Sequence, residues 1–155
     1  MVIKSDRSSW QAIRFLNMLT QQPPGQRWSV ILNYYTGLIF LLTALALYFV
    51  PNLVCSIIGM SYPSASTNEM GLFRICGVFY FVIGYFYVCM THSVQAAEFV
   101  KASVFDRLIA AALAAYLVYL GQLDWQVLLF AAVDTISAVL TYNALEEEAN
   151  TTGRD

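Results

Sequence analysis

Three ionisable side chains lie in or beside long apolar stretches, and these residues are the best placed in the sequence to do chemistry. Arg74 lies in GLFRICGVFYFVIGYFYVCM (71–90), Asp134 lies in VLLFAAVDTISAVLTYNAL (127–145), and Glu69 precedes the first stretch. Charges at membrane depth are costly, so each needs a partner or water. Counted from the same side, Arg74 and Asp134 differ in depth by about 5 Å at ~1.5 Å per residue. The sequence therefore predicts an Arg74–Asp134 pair, with Glu69 as a further partner.

Two roles for this pair stay open. In the first, the pair is a structural device that fixes helix packing, or Arg74 extends to the nearer headgroups. In the second, the pair lines a cavity that binds a polar or anionic headgroup or relays a proton. A buried ion pair need not add net stability, so its presence alone does not decide between them.

Other chemical patterns do not occur in the sequence. It has no Ser-His-Asp order, no paired catalytic carboxylates and no Gly-rich phosphate loop. Its one histidine, His92, has no second ligand nearby. We therefore expect no catalytic residue, no metal site and no cofactor. No basic block or zinc-like spacing is present, so no nucleic-acid partner is expected.

The composition indicates a membrane protein. The 155 residues are 59% hydrophobic and 12% charged, whereas soluble domains carry about a quarter charged residues. Four apolar segments are long enough, or nearly so, to cross a core of about 30 Å as helices. The predicted fold is an all-α, four-helix transmembrane bundle over residues 29–145. Its spans are about 29–50, 70–90, 104–120 and 127–145.

Two short helices and a tail complete the predicted organisation. Residues 1–28 form an amphipathic segment, with a helix from Ser9 to Gln21 on the inner leaflet and Trp10 as its anchor. The sequence pattern of residues 51–60 predicts a short outer interfacial helix that begins at Pro51 and ends at Gly59. Residues 146–155 are expected to form an acidic C-terminal tail.

The basic residues predict the orientation. Seven of the eight Lys and Arg residues fall on the side of the two termini, and none falls in the opposite loops: Lys4, Arg7, Arg14, Arg27, Lys101, Arg107 and Arg154. This bias predicts cytoplasmic, or equivalent, termini. Asp106 and Arg107 are expected at the inner entrance of the third span, with Arg107 facing headgroups.

The spacing of small residues predicts which helix faces pack together. Membrane helices approach closely where side chains are small. Gly77 and Gly84 share a face with Arg74 and Phe81, and Ser137, Ala138 and Thr141 share one with Asp134. A third face carries Ala110, Ala111, Ala114 and Ala115. We expect all three faces to point inward, and Phe79, Ile83 and Phe86 to face lipid or a neighbour.

One arrangement of motifs resembles a known family. FVPNLVCSIIGM (49–60) follows the first span, Glu69, Arg74 and Gly77 form E-x-x-x-x-R-x-x-G, and the fourth span holds a single Asp134. This arrangement resembles the small four-helix membrane proteins of the DoxX-like and BphX-like kind over about residues 29–145. The resemblance implies the four-helix fold and adds little on activity.

Three functions are compatible with these features. The sequence favours a non-enzymatic accessory, scaffold or assembly protein in the lipid bilayer, partnered by other subunits or by itself. The alternative is a small transporter or lipid-like ligand carrier that uses Arg74 and Asp134. The third is a membrane-embedded enzyme with Asp134 or Glu69 as acid or base. An open, partly polar pocket at the pair would favour the carrier, and a dry, tightly packed bundle would oppose it.

Overall fold

The computed structural model describes the backbone of residues 7–23, 27–60 and 68–152, and the side chains of residues 13–23, 27–60 and 70–151. In these ranges the chain forms helices and no strand, which confirms the all-α prediction. The helices are α1 (Arg7–Thr20), α2 (Trp28–Phe49), α3 (Pro51–Ile58), α4 (Asn68–Thr91), α5 (Ala96–Tyr119) and α6 (Val127–Thr152).

Four of these helices, α2, α4, α5 and α6, are long and apolar enough to cross a membrane. Large apolar side chains cover their outward surfaces, and the predicted lipid-facing residues Phe79, Ile83 and Phe86 are among those exposed. Soluble monomers rarely expose so large an apolar surface to water. The chain is therefore an integral membrane protein. Below, the α1 end is the end of the bundle that holds α1 and residues 92–95, and the α3 end holds α3 and residues 120–126.

Glycines bring α2 and α4 into close contact. A Cβ added to Gly84 would lie 2.9 Å from the backbone O of Gly37, and one added to Gly77 would lie 2.9 Å from the backbone O of Ala44. Atoms cannot approach so closely without a shift, so glycine is required for this separation. The two backbones therefore pack directly against each other.

The α5–α6 pair joins the α2–α4 pair mainly in the half towards the α1 end. Its fully buried residues all lie there: Val100, Ser103, Val104, Arg107, Ala138, Thr141 and Ala144. Towards the α3 end the two pairs leave more surface uncovered, so Ala110, Ala111, Ala114 and Ala115 are exposed or half-buried. The expectation that this alanine patch faces inward is therefore wrong.

Helix α1 packs against the bundle, and α6 closes its α1 end. Phe15 of α1 lies 4.9 Å from the Tyr85 ring, between centroids, and Tyr34 Oη donates to the Leu19 backbone O at 2.8 Å. The side chain of Trp10 lies outside the described residues.

Helix α6 continues through the predicted acidic tail to Thr152. Glu148 on this extension accepts from Ser29 N at 2.9 Å and from Ser29 Oγ at 2.8 Å. It thereby satisfies a free amide at the start of α2.

The short helix α3 follows its predicted boundaries. Pro51 occupies its first turn, and Gly59 ends it in the left-handed conformation with φ of 72°. Gln126 Nε2 then donates to the Gly59 backbone O at 2.9 Å, which links α3 to the start of α6. This link holds the α3 end of α2 beside that of α6.

Candidate functional site

A buried arginine lies inside the bundle, and it is not the predicted Arg74. Arg107 is 1% exposed and lies near the middle of α5, which begins at Ala96. The prediction that Arg107 faces headgroups is wrong because the helix begins well before the predicted boundary near Val104. An exposed salt bridge of 3.0 Å joins Lys101 to Glu98 at i,i+3 in the first turns. Such a pair supports helix there and keeps both charges at the surface.

Helix α2 and α5 itself supply the first acceptors for Arg107. Nε donates to the Ser103 backbone O at 3.0 Å, and Nη2 donates to Ser103 Oγ at 3.2 Å. Nη2 also donates to Asn33 Oδ1 at 3.1 Å, and Nη1 donates to Thr36 Oγ1 at 3.4 Å. Ser103 Oγ in turn donates to Asn33 Oδ1 at 2.7 Å. Two donors at Asn33 Oδ1 fix the orientation of that amide.

Helices α6 and α4 complete the surroundings of Arg107. Nη1 donates to Ser137 Oγ at 3.0 Å, and Nη2 donates to Thr141 Oγ1 at 3.3 Å. The guanidinium carbon also lies 5.9 Å from the centroid of the Tyr87 ring on α4, in cation–π range. All four membrane helices therefore contact one cation. Ser137 and Thr141 of α6 therefore point towards the interior of the bundle.

Neutral oxygens, and not a carboxylate, surround this cation. Among the described residues, the only salt bridge within 4.0 Å is the surface pair Lys101–Glu98. Asp134 and Asp106 attract the guanidinium electrostatically from farther away. Asp106 Oδ2 accepts from Tyr87 Oη at 3.5 Å. Arg107 is therefore stabilised inside the bundle by hydrogen bonds, with its opposite charges at a distance.

A cleft of about 180 Å³ lies beside this network, towards the α3 end, between α2, α4 and α6. Thr36 and Ser137 form part of its wall, and both accept from Arg107, so they separate the cleft from the guanidinium. Asp134 of α6, Tyr80 of α4 and Thr43 of α2 are the other polar side chains in the wall. The cleft therefore places a carboxylate and hydroxyl groups together at membrane depth.

The rest of the wall is apolar. Phe40 and Phe130 line the cleft. The Phe40 ring packs edge-to-face against the Tyr80 ring, with centroids 5.6 Å apart. Ile39 of α2 and Val133 of α6 also line the cleft, and each is half exposed on the outside of the bundle. The cleft therefore opens sideways between α2 and α6, towards the hydrocarbon.

The structure does not bring Arg74 and Asp134 together. Arg74 is exposed near the start of α4 and has no ion pair with any described residue. The backbone of Glu69 is helical, and its side chain lies outside the described residues. Similar depth was the reason for pairing Arg74 with Asp134, but depth does not specify the direction in which a side chain leaves its helix. The predicted Arg74–Asp134 pair is therefore not formed, although Asp134 does lie at a cleft.

One sequence signal could have indicated Arg107. Asn33 lies in the first span, and a buried amide in a membrane helix needs partners on another helix. Ser103 and Arg107 lie four residues apart, as do Ser137 and Thr141, so each pair faces one direction. Together these residues indicate a polar layer inside the bundle, although only Arg107 among them is charged.

The described residues contain no group of three or more His, Cys, Asp or Glu side chains that could hold a metal ion. No protein-family model, no curated protein and no solved structure matches the chain. The resemblance to DoxX-like and BphX-like proteins therefore stays a prediction, and functional inference depends on the chemistry of the site.

Proposed function

We propose that this protein is a non-enzymatic carrier or binding protein that holds a small amphipathic molecule within the bilayer, in the cleft beside Asp134. The observation that carries the proposal is the cleft itself, because it places a carboxylate among apolar side chains at membrane depth. Polar residues at such depth are costly and mark ligand or ion pathways when they line a cavity. Of the two leading functions that the sequence left open, this is the ligand carrier, with Asp134 at the site and Arg74 away from it.

The dimensions of the cleft limit the kind of ligand. Its volume of about 180 Å³ is below the roughly 300–1,000 Å³ of pockets for drug-sized ligands. A headgroup fits this volume, and a long hydrocarbon chain does not. Because the opening between Ile39 and Val133 faces the hydrocarbon, the chain of an amphiphile can remain in the lipid. The site therefore suits the head of a molecule that enters from the bilayer.

The residues of the wall favour binding over catalysis. They include one carboxylate, Asp134, and the hydroxyls of Thr36 and Ser137 are already bonded to Arg107. An activated nucleophile needs a base within hydrogen-bond reach, and Asp134 accepts no hydrogen bond from a described hydroxyl. The same wall can hold a ligand without transforming it.

A second candidate, an accessory or assembly protein, is supported by a different surface. Between α5 and α6 an open groove is lined by small residues, among them Ala111, Ala115 and Ala132. Small residues of this kind let another membrane helix approach closely. In this function the protein would bind a helix from another subunit or from a second copy.

The proposal includes the orientation with both termini in the cytoplasm. Arg14, Arg27 and Lys101 are exposed at the α1 end, whereas Arg107 lies inside the bundle and no longer contributes to the charge bias. Arg74 is the exposed basic residue among those described towards the α3 end. The bias towards the α1 end is smaller than the sequence suggested, and it keeps its direction.

Native mass spectrometry of the protein purified in mild detergent tests the carrier function. Thr43 lines the cleft and Leu42 beside it is exposed to lipid, so Thr43→Phe fills the cleft and Leu42→Phe is the matched control. We expect a co-purified small molecule on the parent and on the control, and its loss from Thr43→Phe. No bound molecule on the parent, or equal amounts on all three, would overturn the carrier function.

A further inference from the structure

The hydroxyls of Thr36 and Ser137, the two wall residues next to Arg107, have no proton left for a ligand. Thr36 Oγ1 donates to the Leu32 backbone O at 3.0 Å, and Ser137 Oγ donates to the Asp134 backbone O at 2.9 Å. A hydroxyl has a single proton to donate, so each can offer a ligand only an acceptor oxygen. This part of the wall is complementary to a donor.

The buried arginine does not offer donors to the cleft either. Its Nε, Nη1 and Nη2 atoms all donate to Ser103, Asn33, Thr36, Ser137 or Thr141. A carboxylate or phosphate head would therefore have to break these bonds to reach Arg107. It would also approach the negative charge of Asp134. The side of the cleft next to Arg107 is therefore poorly suited to an anion.

Asp134 is the strongest acceptor that remains. Its carboxylate is half-buried, accepts no hydrogen bond from the described side chains, and lies beyond ion-pair distance of Arg107. A carboxylate at this depth without a close partner is costly. A cation that donates to it would form a charge-assisted hydrogen bond, which is about twice as strong as a neutral one.

The opposite wall can also stabilise a cation. Tyr80 of α4 reaches the cleft, and among the described residues it has no hydrogen-bond partner. Its oxygen can accept from a ligand, and its ring, with that of Phe40, gives an aromatic surface beside the carboxylate. Aromatic faces attract cations.

From this arrangement we propose that the ligand is an amphiphile with a protonated amine head, and that Asp134 binds the amine while the hydrocarbon chain leaves between Ile39 and Val133. The inference rests on the proposed function and adds the chemical class of its ligand. Tyr80 and the acceptor oxygens of Thr36 and Ser137 surround the remaining N–H groups.

The test uses three probes with the same chain and different heads: dodecylamine, dodecanol and dodecanoic acid. Their binding to the full-length protein in detergent at neutral pH is measured by titration in native mass spectrometry. We expect dodecylamine to bind the parent most tightly, and Asp134→Asn to weaken it by roughly tenfold or more. Asp134→Glu, which keeps the charge, should recover most of the affinity. Asp124→Asn removes an exposed carboxylate outside the cleft and should change nothing.

The outcomes separate this inference from the proposed function. If Asp134→Asn binds dodecylamine as tightly as the parent, or dodecanol binds as tightly as dodecylamine, the amine assignment is overturned. The carrier function still stands in that case if Thr43→Phe abolishes probe binding and Leu42→Phe does not. If Thr43→Phe leaves every probe unaffected, the cleft is not the binding site and both proposals fail. Variants are compared only when each elutes as a single folded species in size-exclusion chromatography.

Discussion

Asn33 Oδ1 lies 3.1 Å from Nη2 of Arg107, and this bond connects residues that are 74 positions apart in the chain. Both side chains are fully buried, so the amide replaces part of the water that the cation would otherwise bind. Hydrogen bonds to a charged group contribute more than neutral ones. The polar layer around Arg107 therefore holds α2, α5 and α6 in one arrangement and forms one wall of the cleft.

Removal of the buried cation should destabilise the bundle. Arg107→Ala removes one of the two donors to Asn33 Oδ1 and the cationic donor to two α6 hydroxyls, and it opens a cavity between helices. We expect a loss of roughly 2–4 kcal/mol of unfolding free energy. The measurement is thermal unfolding in detergent, followed by intrinsic fluorescence, together with folded yield.

The matched control for this experiment is the other arginine within a span. Arg74 is exposed and has no bond to a described residue, so Arg74→Ala should stay within about 0.5 kcal/mol of the parent. A larger effect of Arg74→Ala than of Arg107→Ala would contradict the assignment of the central cation.

A carboxylate at position 33 should suit Arg107 better than the amide does. Asn33 Nδ2 is buried and has no partner among the described residues, and Asn33→Asp replaces it with an acceptor next to the cation. We expect Asn33→Asp to fold with unchanged or raised thermal stability. The same change combined with Arg107→Ala should be strongly destabilising, because it buries an unpaired charge.

A double-mutant cycle of these two changes measures their coupling, which we expect at about 1–3 kcal/mol. Additive effects of Asn33→Asp and Arg107→Ala would show that the two side chains do not interact.

Because α2 and α4 pack closely, Gly84 is sensitive to the addition of a single methyl group. Gly84→Ala places a Cβ 2.9 Å from the Gly37 backbone O, so the helices must separate at a cost of about 1–3 kcal/mol. Gly71 lies on the same helix with nothing within 4 Å of an added Cβ. Gly71→Ala should be neutral or stabilising by up to about 1 kcal/mol. Equal thermal stability of the two variants would contradict the close packing.

Glu148 should stabilise the first turn of α2. Glu148→Ala removes the acceptors of Ser29 N and Oγ, and we expect a loss of about 1 kcal/mol. Hydrogen exchange should also become faster in the first turn of α2. Glu147→Ala, at an exposed neighbouring position, is the control. Unchanged exchange at residues 28–31 in Glu148→Ala would rule out this capping role.

Local sequence features predicted the helices well, because their causes are local. Pro51 and Gly59 specify the start and end of α3, and Gly77 and Gly84 mark the face of α4 that meets α2. The unbroken apolar length of the spans indicates the membrane. Each of these inferences needs only neighbouring residues.

The partners of the charged residues could not be predicted in the same way. Arg74 and Asp134 were paired by depth, but the direction of each side chain depends on how the helices rotate and cross. The sequence predicts a third span from about Val104, whereas α5 begins at Ala96 and includes Glu98 and Lys101. This longer helix places Arg107 in the interior of the bundle. Apart from Ser103 on the same helix, the acceptors of Arg107 come from α2 and α6, which are distant in sequence.

The carrier function is tested most directly by a crystal structure of the protein crystallised from a lipidic mesophase, in which the volume between α2, α4 and α6 is inspected for density. The carrier function predicts non-protein density within hydrogen-bond distance of Asp134 that extends outward between Ile39 and Val133. Helices α2 and α6 packed together over Asp134, with no space or density between them, would contradict it.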